Sequence, residues 1–186
     1  MYHKLAMVGM SVLLFGATPA FRAFAQTAAD SLAWEPERKL SWDDFQGAPE
    51  ENTIIGARTF TTIKYRLYDN DTACRVVVRC LFLKKVSWKA EEHTTIYSLQ
   101  HEQLHFDISE LFARKLRKAF KEYKYSRATV NSDIAAIFKR ICAEKTKFNK
   151  KYDKETVHCV DMTKQLVWNN KIYFMLEELK DYAVIR

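Results

Sequence analysis

From about position 93 onward, apolar residues return every three or four positions. Ile96, Leu99, Leu104, Ile108, Leu111, Phe112, Leu116 and Phe120 form the first such stripe, which is the period of a helix with one buried face. A second stripe, Val130, Ile134, Ile137, Phe138, Ile141 and Phe148, predicts a helix over 128–149. Residues 150–160 are polar and read as a connection. Asp161 reads as the N-cap of a last helix carrying Leu166, Trp168, Ile172, Met175, Leu176 and Leu179.

Upstream the pattern is that of strands. Residues 54–67 are rich in Thr, Ile, Phe and Tyr, which favour a pleated backbone. Asp69-Asn70-Asp71 signals a turn and 73–83 resumes as a second strand, so an antiparallel hairpin is expected. On that second strand Cys74, Val76, Val78, Cys80 and Phe82 share one face, opposite Arg75, Val77, Arg79, Leu81 and Leu83. Before the hairpin, 26–33 reads as a loose polar leader. Trp34, Leu40, Trp42 and Phe45 give 34–45 enough apolar surface to dock on the domain, and 47–52 is a turn-rich break. The expected fold is α+β, one domain over 53–186 with its hairpin packed on three helices.

The first 25 residues read as a signal peptide. Lys4 precedes a mostly apolar run from Leu5 to Ala17, and Ala23-Phe24-Ala25 is a small-x-small cleavage pattern that starts the mature chain at Gln26. The run is shorter than the roughly 18 to 20 apolar residues that a membrane-spanning helix requires. Export to a periplasm or to the medium is expected, with no membrane span after cleavage. Two of the 30 basic residues, Lys4 and Arg22, fall in this leader, which lowers the net charge from +7 to +5. That excess is spread along the helices, so a solvated surface is expected and not a nucleic-acid groove. Cys74, Cys80, Cys142 and Cys159 make an even count in a disulfide-permissive compartment. Cys74 and Cys80 stand about 20 Å apart along one strand and cannot bridge each other. No Cys-x-x-Cys spacing suggests a thiolate metal site.

The informative stretch is His101-Glu102-Gln103-Leu104-His105. Four residues make about one helical turn, so both imidazoles project from the same face. They can reach one zinc ion at about 2.0 to 2.1 Å each. Glu102 lies about 100° around the helix, beside the ion and off its coordination sphere. Zinc lowers the pKa of a water it holds to about 7 and polarises a scissile carbonyl. Glu102 is then placed to take the proton from that water as general base and deliver it to the leaving amine.

A catalytic zinc needs a third protein ligand and one open position. His93 lies about 12 Å up the same helix and cannot share the ion. Asp107 and Glu110 point off the ligand face and could serve only from a second shell. That leaves His158, in the polar connection after the second long helix, as the expected third ligand, with Asp153 and Glu155 in reserve. Tyr152 is a candidate oxyanion donor that reads better as a packing residue.

Four stretches together resemble a bacterial family of domains of unknown function, usually described as predicted secreted zinc-dependent proteases. They are Leu40-Ser41-Trp42-Asp43-Asp44-Phe45-Gln46-Gly47; Phe82 with Ser87-Trp88; His101 through Ile108, extended by Glu110, Arg114, Leu116 and Arg117; and Tyr152-Asp153, Glu155-Thr156 and His158, followed by Gln165 and Trp168. The resemblance implies a zincin-like domain and supports His158, which falls within a shared stretch. The expected activity is therefore that of an exported zinc metallohydrolase, a peptidase acting on a peptide or protein, with cell-wall peptides one such class. The alternatives are a zinc-binding protein without catalysis and a metal-free helical interaction domain of the cell envelope.

Overall fold

The computed structural model describes residues 30–51, 53 and 55–184; the expected signal peptide, 1–25, lies outside them. Among the described residues there are five strands: β1 (Ser31–Ala33), β2 (Ala57–Arg58), β3 (Thr61–Asp69), β4 (Cys74–Leu83) and β5 (Trp88–Lys89). Three long helices follow, α1 (Ile96–Lys121), α2 (Val130–Thr156) and α3 (Met162–Glu178). The architecture is α+β, a small antiparallel sheet and three helices.

β3 and β4 form the expected hairpin, in a register that pairs Ile63 with Cys80 and Tyr65 with Val78. The first strand starts later than its composition predicts. Ala57 and Arg58 pair instead with β5, in a separate two-stranded ladder. The leader is also not loose over its described part: Ser31–Ala33 pairs antiparallel with β4, giving the sheet order β1-β4-β3. Val78, Cys80 and Phe82 turn their side chains into the core, and Phe82 meets Phe106 of α1 at 5.8 Å between ring centroids. Fully burying an aromatic or branched side chain of this kind stabilises a domain by about 1.5 to 3 kcal/mol. All four cysteines are free thiols, with that of Cys80 pushed up by burial.

Trp34–Phe45 packs on the domain through polar anchors as well as apolar ones. Trp34 donates to Asp107 Oδ1 at 2.7 Å, and the Leu40 amide donates to Gln103 Oε1 at the same distance. Asp44, itself buried, accepts two bonds from Arg38 and one from the Ser41 amide.

α1 starts at Ile96, three residues later than position 93, because Thr95 caps it. Its hydroxyl accepts from the Ser98 amide, while the Ser98 hydroxyl accepts from the Thr95 amide. α2 corrects the larger misjudgement: residues 150–156 belong to the helix and not to a polar connection. Tyr152 and Thr156 are fully buried and continue the stripe of Ile141 and Phe148 at helical spacing. The charged residues between them are mostly the exposed side of the same turns. Tyr152 and Phe148 pack on Trp168 of α3, at 5.3 and 5.1 Å between ring centroids.

One ionic cluster joins the layers. Glu110, 2% exposed, accepts from Arg114 Nε at 3.2 Å and from Arg117 Nη1 at 2.7 Å. Arg114 also donates to the Leu176 carbonyl of α3, and Arg117 to the carbonyls of Val78 and Tyr182. Glu110 thus serves the core, and Asp107 serves the N-terminal segment. Neither lies where the sequence allowed it as a support for the site.

Candidate functional site

His101 and His105 leave α1 one turn apart, with ring centroids 4.9 Å apart and planes nearly perpendicular. α2 crosses this face and contributes Asn149, Tyr152 and Asp153. α3 contributes Gln165. The chain reaches the site a last time at the turn between α2 and α3. There the amides of Val157 and His158 both bond to the Asp153 carbonyl, which folds the backbone back over Asp153.

Asp153 Oδ1 is the hub of the cluster. It lies 2.9 Å from His105 Nε2, 3.4 Å from His101 Nε2 and 4.0 Å from His158 Nδ1. His101, Asp153 and His158 each place one donor atom within 4.8 Å of the other two. Although buried, Asp153 Oδ1 has no hydrogen-bond partner. His158 lies on the solvent side, its side chain 58% exposed.

The other nitrogen of each inner histidine is held by a side-chain amide. His101 Nδ1 is 3.0 Å from Gln165 Oε1, and His105 Nδ1 is 3.0 Å from Asn149 Oδ1. Gln165 has little choice of orientation. Its Nε2 donates to Asn169 Oδ1 at 2.8 Å, which leaves Oε1 as the acceptor facing both Tyr152 and His101. With these amide oxygens as acceptors, each imidazole carries its proton on Nδ1 and leaves Nε2 available to a metal. The Tyr152 ring stacks on His101, centroids 4.6 Å apart, and its hydroxyl is within bonding distance of the His101 carbonyl at 3.2 Å. Burial holds that hydroxyl far above the usual phenol range.

Glu102 is 5% exposed, and its Oε2 has no hydrogen-bond partner. Burial alone would lower His105, but the Asp153 carboxylate, with Glu102 adding to it, lifts it above the ordinary imidazole value. Burial likewise works to raise Asp153, yet the two histidines hold it well below the usual carboxylate range.

The turn that presents His158 is strained. Val157, His158 and Cys159 take φ of 49°, 48° and 69°, three successive left-handed residues without a glycine. Such conformations cost on the order of 1 to 3 kcal/mol each and persist where surrounding contacts over-determine them. Here the Asp161 amide bonds to the Thr156 carbonyl at 2.9 Å, and the Asp161 side chain caps α3.

Of the residues singled out in the sequence, the fold gathers His101, Glu102, His105, Asp153 and His158. It sends Glu155 elsewhere, to accept from Trp168 Nε1 at 2.9 Å. Asn149 and the role of Gln165 were missed. The usable signal was the spacing of Asn149 and Asp153, one helical turn apart, once α2 is known to continue past 150.

The site thus defines an α+β domain with a cluster of residues that could hold a metal ion, built from α1, α2 and the turn that closes over them. Residues 85–159, which contain that cluster, match a family described as a bacterial protein of unknown function, DUF922. No curated protein and no solved structure matches the chain. No helix among the described residues is long and apolar enough to cross a membrane.

Proposed function

We propose that the protein is an exported zinc-dependent metallohydrolase, a peptidase, of the zincin-like type that its His-Glu-x-x-His helix suggests. Export rests on the Ala23-Phe24-Ala25 pattern. The observation that carries the catalytic reading is the buried Glu102 side chain, whose Oε2 has no partner, beside a cluster of imidazoles and an unpartnered Asp153 oxygen. A carboxylate oxygen buried without a bond is expensive, and such groups concentrate at functional sites.

The donor set fits a zinc ion. Two ligands each about 2.05 Å from a tetrahedral centre stand about 3.3 Å from each other. The spacings of Asp153 Oδ1 to His105 Nε2 and His101 Nε2, 2.9 and 3.4 Å, bracket that value. His101, Asp153 and His158 would hold the ion, with their donor atoms within 4.8 Å of one another, and His105, 2.9 Å from Asp153 Oδ1, is the further candidate ligand. When bound, zinc polarises a carbonyl and makes water a better nucleophile at neutral pH. Glu102 takes the proton from the attacking water and returns it to the leaving nitrogen. Gln165 and Asn149 keep the imidazole protons on Nδ1, and Tyr152 closes the floor against water.

A second reading is a zinc-binding protein without catalysis. It is favoured by the 4.0 Å from His158 Nδ1 to Asp153 Oδ1, short enough for a fourth ligand to close the site. Metal content of the purified protein, measured with variants, separates the two. The catalytic reading expects about one zinc per chain, lost in Asp153→Ala and His101→Ala but retained, more weakly, in His158→Ala. A His158→Ala variant that loses zinc as completely as Asp153→Ala, in a protein that cleaves no peptide, would establish the closed site. Absence of bound metal after dialysis against zinc would sink both readings.

The amide support gives a further expectation. Gln165→Leu should weaken zinc binding by roughly 10- to 100-fold, because His101 is freed to rotate or to carry its proton on Nε2. Competition with a chromophoric chelator measures it. Unchanged affinity would show that Gln165 only packs.

A further inference from the structure

A cavity of about 580 Å³ lies between the N-terminal segment, α1 and α3. Trp34 and Leu40 border it from the segment, Leu99 from α1, and Ile172, Tyr173 and Leu176 from α3. That size and a mostly apolar lining with a few polar groups are the marks of a ligand site. His101, Glu102, His105, Asp153 and His158 all lie outside the lining, so the cavity is separate from the metal-ligating cluster.

Charge and hydrogen bonding together define what it can hold. Two cations, Lys39 and Arg114, and two anions, Asp107 and Glu177, line it. A ligand of either sign would be drawn to one pair and repelled by the other, and its own charge would be costly to bury among the apolar side chains. An uncharged ligand fits best. Lys39 and Glu177 are exposed, whereas Arg114 is buried.

Asp107 and Arg114 each keep one side-chain atom in reserve. Asp107 Oδ1 accepts from Trp34 Nε1 at 2.7 Å and from Gln103 Nε2 at 2.8 Å, while Oδ2 has no bond among the described residues. Arg114 donates from Nε to Glu110 and from Nη1 to the Leu176 carbonyl, while Nη2 has no bond among them. The indole that bonds Asp107 also lies under the Arg114 guanidinium, 5.2 Å from its ring centroid, and so brings the two groups together. One free acceptor beside one free donor, in an apolar setting, is the complement of a peptide backbone, which offers one N–H and one C=O per residue.

We propose that this cavity binds an uncharged, apolar stretch of peptide. One backbone N–H donates to Asp107 Oδ2, one C=O accepts from Arg114 Nη2, and apolar side chains seat among Leu40, Leu99, Ile172 and Leu176. Binding here stands apart from the metal reading, since it uses none of the cluster residues.

The test is calorimetric titration of the Glu102→Gln protein, chosen so that hydrolysis does not consume the probe. The probe is leucyl-leucine acetylated at its N-terminus and amidated at its C-terminus, and it should bind at a single site. The uncapped dipeptide, charged at both ends, should bind more weakly by about tenfold or more. Asp107→Asn keeps the Oδ1 acceptor for Trp34 and Gln103 but turns the free acceptor into a donor, and should weaken binding by about tenfold or more. Ile96→Ser with Tyr173→Ser removes apolar lining and should weaken it by about tenfold. Both of those residues are exposed, so the melting temperature should not move. No binding of the capped dipeptide, equal binding of the uncapped one, or equal binding by the Asp107→Asn variant overturns the proposal. So does a dimer in solution that Ile96→Ser with Tyr173→Ser dissociates, because a second copy would then fill the cavity.

Discussion

Glu102→Gln is expected to keep the zinc and lose the hydrolysis. The amide has the size of the carboxylate and lies off the ligand face, so metal content should match that of the parent. It cannot accept a proton, so turnover of a cleavable peptide should fall by roughly a hundred- to ten-thousand-fold, the usual contribution of a positioned general base. Stability should hold or rise slightly, because the replaced carboxylate is buried and its Oε2 makes no bond. Peptide cleavage, metal analysis and a melting curve on the same preparation are sufficient. Equal cleavage by parent and variant would remove Glu102 from the chemistry. Loss of metal in the variant would mean that Glu102 is itself a ligand.

The largest stability effect should come from a residue outside the site. Glu110→Ala removes the carboxylate that Arg114 and Arg117 share, leaving two guanidinium groups in a region where Glu110 is 2% exposed. Breaking a buried ionic cluster on one side costs about 3 to 5 kcal/mol. Domains of this size are stable by about 5 to 15 kcal/mol. The melting temperature should therefore fall by on the order of 10 °C, while the fraction that remains folded still binds one zinc. A small shift in melting with loss of metal would instead return Glu110 to the site.

These two glutamates, eight positions apart on one helix, looked alike in the sequence. Both lie on the same amphipathic helix, and the motif spacing separated them. Glu102 was legible because His101 and His105 flank it at a separation that chemistry recognises. Glu110 was not, because its arginine partners at 114 and 117 show only as ordinary helical charge pairs. Their burial, and the carbonyls of Val78, Leu176 and Tyr182 that share them, appear only when β4, α3 and the C-terminal turn close on α1.

The polar stretch 150–160 shows where reading by periodicity fails. Seven residues of this stretch extend α2, but Lys150, Lys151, Lys154 and Glu155 outnumber its two fully buried positions, Tyr152 and Thr156. A stripe that narrow lies within what a loop can produce, so composition outweighed period. The error hid Asn149 from view and made Asp153 a loop carboxylate. Once the helix is extended, 149 and 153 fall on one face.

What the amino-acid order determined alone was local: the period of each element, the alternation along β4, the cap at Asp161 and the pair of imidazoles one turn apart. Each depends on neighbours within about four positions, where backbone geometry is nearly invariant. What only the tertiary structure decided was non-local. It joined Asp153 and His158 to His101 and His105, aimed the amides of Asn149 and Gln165 at the imidazoles, and left a cavity between the N-terminal segment, α1 and α3. Those outcomes depend on how helices cross and how the strained turn at 157–159 bends, and both are set by packing across the whole domain.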